Sequence, residues 1–295
     1  MRLVLSKKET NMIRLMFACC LLMLIASCGE QMNKKKPVAH LDTAIDSSAV
    51  LPVEEPEPLR IVEEVIPVTA DESFSDFFYN FASDSVFQRN RIITPLPFYE
   101  GEHVERCTKE DWKFDPMFSL EEVYTILFDT EEDMELEKDT SAHSVQVDWL
   151  YLQDRMIKRY YFERKQDSWF LEAINMEKMK EPKDTKEDFY DFYRHFVSDS
   201  LFQDERLNDP LLFVTADPDD EFEIIETVLD KGQWFAFRPP MPSRLSNIRY
   251  GQKDMPDSSV KIVEFKGFGN GFSNVLHFHC RHGIWKLAKF EDLSD

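Results

Sequence analysis

The sequence predicts an α+β protein made of two copies of one fold, each with helices first and an antiparallel sheet after them. The main observation is an internal repeat: Glu72–Phe98 and Glu187–Phe213 align at a constant offset of 115, with 14 of 27 positions identical. Segments of strand-like composition follow each stretch, and Trp169 matches Trp285 near the end of each copy. Two similar domains are therefore expected, at residues 71–177 and 186–295, joined by a linker at residues 178–185.

Each repeated stretch begins with an amphipathic helix whose apolar residues recur at i, i+3, i+4 and i+7. These residues are Phe74, Phe77, Phe78 and Phe81 in the first copy and Phe189, Phe192, Tyr193 and Phe196 in the second. The Ser-Asp-Ser that follows favours the end of this helix and the cap of a second short one, near Val86 and Leu201. Pro95 and Pro210 then favour an extended exit. We expect Phe77 and Phe192 to be fully buried.

Arg91 and Arg206 recur at the same place in the two copies, and the sequence favours packing and an ion pair over a ligand-binding role.

Strands are predicted where β-branched and aromatic residues concentrate between turn-forming residues. In the first copy they are Val123–Phe128, Ser144–Leu152, Arg155–Arg164 and Trp169–Ile174, with an acidic loop at Asp129–Asp139. In the second copy they are Phe222–Val228, Gln233–Phe237, Ser259–Lys266, Asn274–Arg281 and Ile284–Phe290. The prolines of Arg238–Pro242 predict a surface loop.

Residues 1–27 have the pattern of a lipoprotein signal peptide, with Met12 as the expected true start. A basic start precedes the apolar run Leu15–Ile25, and small residues precede Cys28. The run is shorter than the roughly 20 residues that span a bilayer, which favours a cleaved signal over an uncleaved anchor. Cys28 is the expected lipidated residue, which would hold the protein on a membrane of the cell envelope, on the periplasmic or the outer face.

Residues 28–70 are predicted to be a disordered tether. The segment has no helix or strand period and is rich in Pro and Glu around Pro52–Pro58. A flexible chain of this length reaches roughly 35 Å on average, so we expect the folded part to stand away from the membrane.

Four features of the sequence resemble domain-of-unknown-function family 4348. They are the repeated motif Ser-Asp-Ser-x-Phe-Gln-x-x-Arg, the Pro-Leu that follows it a few residues later, Trp-Lys-Phe at Trp112–Phe114, and a terminal strand with Trp and Leu. The resemblance covers roughly residues 71–295. The family consists of lipoproteins of Gram-negative gut bacteria whose domains are similar to the nuclear-transport-factor-2-like, or cystatin-like, fold. The resemblance implies a cone, in which a curved sheet wraps over helices and often encloses an apolar cavity, and it implies no activity.

The charge balance argues against a nucleic-acid partner. The chain has 56 acidic and 35 basic residues, a net charge of −21, and removal of the basic segment 1–27 makes the charge more negative. Such a surface repels phosphate backbones. A basic strip at Arg155, Lys158, Arg159, Arg164 and Lys165 is attributed to a solvated strand face.

Only Cys107 and Cys280 remain in the expected folded part, one in each copy. An envelope location permits a disulfide between the copies. The alternation of Cys280 with Leu276 and Phe278 favours a buried free thiol instead.

His277 and His279 alternate with Phe278 and are weak candidates for metal ligands. No third ligand is identifiable, and Tyr161 and Glu163 occupy the matching places in the first copy. A solvent- or interface-facing strand is favoured, and no metal or other cofactor is predicted. Gly267–Gly271 is predicted to be a hairpin turn, because no helix follows it as a phosphate loop requires.

Two classes of function fit the sequence. The favoured one is a non-catalytic binding or interaction module in the envelope, attached to the bilayer, with a protein or a small apolar molecule as its ligand. The alternative is a small-molecule-binding protein or an enzyme similar to ketosteroid isomerase that uses an apolar cone pocket. An enzyme should hold a carboxylate of raised pKa in a deep cavity, whereas a binding module should present an aromatic groove.

Overall fold

The two repeated stretches form matching pairs of helices. The computed structural model describes residues 73–181, 186–217 and 223–294. The first pair is α1 (Phe74–Ser83) and α2 (Ser85–Asn90), and the second pair is α3 (Phe189–Ser198) and α4 (Ser200–Glu205). The helices lie where the periodicity predicts them. The predicted signal peptide, Cys28 and the tether lie outside the described residues.

The repeated motif builds the corner between the two helices of each pair. Asp84 accepts hydrogen bonds from the N–H groups of the residues that open α2, at 2.7 and 3.0 Å, and Asp199 does the same for α4, at 2.9 and 3.1 Å. The amide of buried Gln88 donates to the carbonyl of Phe81, and the equivalent Gln203 repeats this bond in the second copy. These bonds satisfy buried backbone groups at the helix ends, so the motif is structural.

Twelve strands of the described chain follow the helices, in two sets. The first set is β1 (Leu96–Glu100), β2 (His103–Cys107), β3 (Tyr124–Phe128), β4 (Ser144–Tyr151), β5 (Met156–Lys165) and β6 (Ser168–Lys178). The second set is β7 (Leu207–Ala216), β8 (Ile224–Leu229), β9 (Leu245–Arg249), β10 (Val260–Lys266), β11 (Ser273–Arg281) and β12 (Ile284–Asp292).

The two copies exchange one strand. The strand order is β2-β1-β6-β5-β4-β9 in the first sheet and β3-β10-β11-β12-β7-β8 in the second. Equivalent strands occupy equivalent places in the two sheets, but β3 pairs with β10 of the other copy, and β9 pairs with β4. Neither half therefore completes its own sheet, and the described residues all belong to one compact unit.

The exchanged strands meet through reciprocal hydrogen bonds. The N–H of Thr125 donates to the Ser246 hydroxyl at 2.7 Å, and the N–H of Ser246 donates to the Thr125 hydroxyl at 2.8 Å. The N–H of Leu127 donates to the side-chain oxygen of Asn247 at 2.8 Å. Because all of these groups are buried, the polar residues satisfy backbone groups that the sheet leaves unpaired.

The helices of each copy pack on the sheet that carries most of that copy's strands. Phe74 packs edge-on against Phe162 and Trp169, and the equivalent Phe189 packs edge-on against Phe278 and Trp285. The predicted α+β class is thus confirmed. Each sheet is antiparallel except for one parallel pair, β1 with β6 in the first and β7 with β12 in the second.

Several local predictions differ from the structure. The strand predicted at Gln233–Phe237 is wrong, because α5 (Lys231–Phe237) occupies this place. Gln233 accepts a hydrogen bond from the N–H of Asp230 at 2.8 Å, which starts a helix where aromatic composition suggested a strand. The acidic segment predicted as a loop contains a 3₁₀ helix at Glu132–Lys138, and strands β2 and β9 were not predicted.

No helix within the described ranges is long and apolar enough to cross a membrane.

Candidate functional site

The interiors of the two cones are filled with phenylalanine. Phe77 and Phe192, at the middle of the helical stripes, have no exposed surface, as predicted. Phe162 packs edge-on against Phe77 and Phe81 in the first cone, and Phe278 packs in the same way in the second. A ligand between helix and sheet would have to displace these rings, so the site must be sought elsewhere.

A cavity of about 190 Å³ lies where α1 meets the exchanged strands. Its walls come from both copies: α1 on one side, the start of β3, the end of β9, and the turn between β10 and β11. The lining residues are Ser75, Asp76, Phe78, Tyr79, Tyr124, Ile248, Tyr250, Phe268 and Gly269. Strand exchange therefore brings Tyr124 and Tyr250 to the same cavity.

The aromatic side chains of the cavity are set at fixed angles to one another. Tyr79 and Phe268 stack with ring centroids 5.1 Å apart. Tyr124 meets Phe268 edge to face at 6.5 Å. Gly269 has a φ of +71°, and a Cβ atom there would lie 2.6 Å from the ring of Tyr79. Both features favour glycine at this position, which lets the turn approach the helix.

Asp76 supplies the carboxylate that lines the cavity. Its Oδ2 accepts a hydrogen bond from the Ser73 hydroxyl at 2.7 Å, and within the described chain no basic side chain lies at ion-pair distance from it. The equivalent residue of the second copy, Asp191, has Arg155 at 3.4 Å and Arg194 at 4.0 Å. The carboxylate thus lies beside two arginines in the second copy, whereas in the first copy no described basic side chain lies beside it.

Two further carboxylates lie behind the tyrosines. The Tyr250 hydroxyl donates to Glu137 at 3.4 Å, and Lys266 bonds Glu137 at 2.6 Å and lies 3.9 Å from Glu264. Burial raises the pKa of Glu264 to about 7, although Lys266 acts in the opposite direction. Burial, together with Glu137 and Glu264, also raises the pKa of Tyr124 and keeps its hydroxyl protonated. Glu264 is not among the residues that line the cavity.

A second, larger groove of about 580 Å³ lies on the first sheet. It is open and of mixed polarity, with lining residues Pro97, Tyr99, Gly101, Tyr161, Glu163, Glu172, Ala173 and Asn175. Glu163 and Glu172 share a hydrogen bond that raises the pKa of Glu163, and Lys165 pairs with Glu172. This groove is more open to solvent than the aromatic cavity, so the aromatic cavity is the stronger candidate.

The weak metal candidates His277 and His279 lie on β11. His277 is buried, with Nε2 2.6 Å from Glu291 and Nδ1 3.5 Å from Glu131. Burial, with smaller contributions from Arg281 and His277, lowers the pKa of half-buried His279. The described part of the chain contains no group of three or more His, Cys, Asp or Glu residues arranged to hold a metal ion. Its contacts with two carboxylates therefore account for buried His277 without a metal ion.

Arg206 has the packing and ion-pair role that the repeat predicts. Its guanidinium lies 2.8 Å from Glu187 and stacks over the Phe202 ring at 4.4 Å. Arg91 stacks over Phe87 in the same way, at 4.9 Å. Both arginines thus cover the short helix of their copy.

Cys107 and Cys280 are free and half-buried, and burial raises the pKa of both thiols. The alternative of a disulfide between the copies is thereby excluded in this structure.

The basic strip on β5 is largely paired with carboxylates. Arg159 forms a two-pronged bond to Asp148 at 2.8 and 3.0 Å, and Lys158 lies 3.3 Å from Asp115. These partners leave little free positive charge on the strip.

The sequence reasoning missed the aromatic cavity. Tyr79 stands where the second copy has Arg194, and Ser75 stands where it has Tyr190. Differences between the aligned copies were the signal that could have indicated this cavity. Positions that preserve a shared fold tend to match between copies, whereas positions that differ can have a role in one copy only.

A model of the family described as "Domain of unknown function (DUF4348)" matches residues 54–292. A crystal structure of an NTF2-like protein from Bacteroides fragilis NCTC 9343 is similar to this chain, with 52% sequence identity and a TM-score of 0.74. The match covers 78% of this chain and 99% of that chain. No curated protein shows significant similarity to this chain.

Proposed function

The chain belongs to the family of domains of unknown function DUF4348 and has an NTF2-like fold. From this premise we propose that it is a non-catalytic binding protein of the cell envelope. In this proposal Cys28 carries the lipid, residues 29–70 are the tether, and the aromatic cavity between the two copies takes a small ligand. The bilayer is then a partner of the lipid anchor, and the ligand is a partner of the folded part.

One observation carries the binding role: aromatic side chains from both copies converge on a cavity, whereas both cones are filled. Filled cones speak against a pocket of the ketosteroid isomerase kind. The carboxylate of raised pKa, Glu264, stands behind the cavity wall rather than within it, so it does not serve as a base for a ligand there.

A matched pair of glycine variants tests the binding role. Gly269→Ala places a methyl group against Tyr79 and distorts the cavity, whereas Gly101, with a φ of +60°, has no atom within 4 Å of the added Cβ. Both variants carry a similar backbone strain, on the order of 1 to 2 kcal/mol. The comparison therefore isolates the cavity from general destabilisation.

The measurement is ligand-observed NMR on the full-length chain. The probes are small neutral, cationic and anionic compounds that fit a volume of about six water molecules, at about 30 Å³ each. We expect at least one probe to bind the wild type and the Gly101→Ala variant, and to bind the Gly269→Ala variant at least tenfold more weakly. Absence of binding to the wild type, or undiminished binding to Gly269→Ala, would refute the proposal.

A further inference from the structure

We infer that the ligand of the aromatic cavity is a small organic cation with an alkylated ammonium group, an inference that rests on the proposed binding function. Three properties of the cavity point to this class: its aromatic walls, its uncompensated carboxylate and its size.

The walls of the cavity are rich in aromatic rings. Tyr79 and Phe268 stack at 5.1 Å, and Tyr124 stands edge to face with Phe268 at 71°. Tyr250 completes the wall from the end of β9. Five aromatic residues thus line one small volume, and ring quadrupoles attract cations that come within about 6 Å of a ring centroid.

The charge of the cavity has the complementary sign. Of the described residues that line it, one is acidic, Asp76, and none is basic. Glu137 and Glu264 stand behind the tyrosines, with Lys266 as their shared partner. The whole chain carries a net charge of −21, which also favours the approach of a cation over that of an anion.

The chemistry of the walls selects an alkylated cation over a primary ammonium. A primary ammonium brings three N–H donors that need acceptors when they are buried. Asp76 already accepts from the Ser73 hydroxyl, and five of the nine lining residues are aromatic. An alkylated ammonium leaves few or no donors unpaired, and a cavity of about 190 Å³ suits a head group of that size.

The second copy supplies an internal comparison. The place of Tyr79 is taken there by Arg194, which would repel a cation, and Asp191 is paired with arginines. The inference therefore assigns one cation site to the molecule, at the first copy.

The test compares two ligands of equal shape and different charge. Choline and its neutral carbon analogue 3,3-dimethyl-1-butanol are titrated into the full-length chain, with binding followed by ligand-observed NMR and calorimetry. We expect choline to bind roughly tenfold more tightly, since a cation–π contact at a partly exposed wall and one carboxylate together favour the charged ligand by that order.

Two substitutions locate the site. Phe268→Leu retains apolar bulk but removes a ring, and Asp76→Asn retains the hydrogen-bonding shape but removes the charge. Each should weaken choline binding at least fivefold and change the binding of the neutral analogue less than twofold. Asp191→Asn is the matched control and should leave choline binding unchanged. A melting curve confirms that each variant is folded.

Each outcome decides between the two proposals. Equal affinity for choline and the neutral analogue would overturn the cation inference and leave the binding function standing. An equal loss in Asp76→Asn and Asp191→Asn would also overturn it, because the effect would then be one of overall charge. Failure of both ligands to bind the wild type, while other probes bind, refutes the cation inference alone; failure of every probe refutes the binding function as well.

Discussion

Truncation of Phe192 to alanine should destabilise both copies, although the residue lies in only one of them. Phe192 has no exposed surface. Its ring lies 5.4 Å from Phe196, 5.5 Å from Phe278 and 6.0 Å from each of Phe189 and Phe202. The substitution therefore opens a cavity that aromatic neighbours on every side cannot easily close.

The free energy of unfolding should fall by about 3 to 5 kcal/mol, the usual range for Phe→Ala in a core. Loss of burial accounts for about 1.5 to 3 kcal/mol, and each lost aromatic pair adds about 0.5 to 1.5 kcal/mol, though not additively. The upper half of the range is expected. With an m value near 3 kcal/mol/M, the urea midpoint should fall by about 1.3 to 1.7 M.

The strand exchange predicts how this loss is distributed. Strand β10 of the second copy holds β3 of the first, and β9 of the second copy completes the first sheet. Hydrogen exchange of backbone amides should therefore show similar losses of protection in β5 and β11, and urea unfolding should remain a single transition. The equivalent variant Phe77→Ala should give the same result.

The reasoning would be refuted by a midpoint shift below about 0.3 M, or by loss of protection confined to β10–β12 while β4–β6 stay protected. The first result would mean that the stripe is not a packed core, and the second that the copies fold independently.

Three further predictions follow from buried charges and from the N-terminus. The pKa of Glu264 is about 7 in the folded chain and 4.5 in the unfolded chain, so its contribution to stability is complete below about pH 4.5 and is lost as the pH rises through 7. Urea titrations should show that the free energy of unfolding of the wild type falls by about 3 kcal/mol over this pH window, relative to that of Glu264→Gln. If the free energies of unfolding of the two proteins changed in parallel with pH, the burial of the carboxylate would be contradicted. Arg159→Met removes the cation that pairs with Asp148, which is 2% exposed. The free energy of unfolding should fall by about 3 to 5 kcal/mol, and the double variant with Asp148→Asn should recover part of that loss. Cys28→Ala should move the protein from the membrane fraction to the soluble fraction, and retention in the membrane fraction would exclude the proposed anchor.

Local patterns predicted the four helices of the repeated stretches and most strands, because the residues that form them are adjacent in the chain. The phenylalanine stripes of α1 and α3 and the Asp84 and Asp199 caps are examples. Strand exchange could not be predicted in this way, because the apolar run of β3 suits a partner in either copy. Its actual partner, β10, lies far along the chain.

The same limit explains the missed strand β9. Its central residues Ser246 and Asn247 break the alternation expected of a strand, and their polar groups are required only because β3 crosses there.

The cavity was missed for a related reason. Tyr124 and Tyr250 are ordinary tyrosines in the sequence, and only the exchange places them beside Asp76.

The exchange of β3 also has a consequence for synthesis on the ribosome. Tyr124–Phe128 emerges roughly 130 residues before its partner Val260–Lys266, and at about 5 to 20 residues per second the delay is on the order of ten seconds. During that delay an apolar strand with free N–H and C=O groups is open to pairing with a neighbouring nascent chain. We therefore expect a chaperone to bind this five-residue segment of the growing polypeptide.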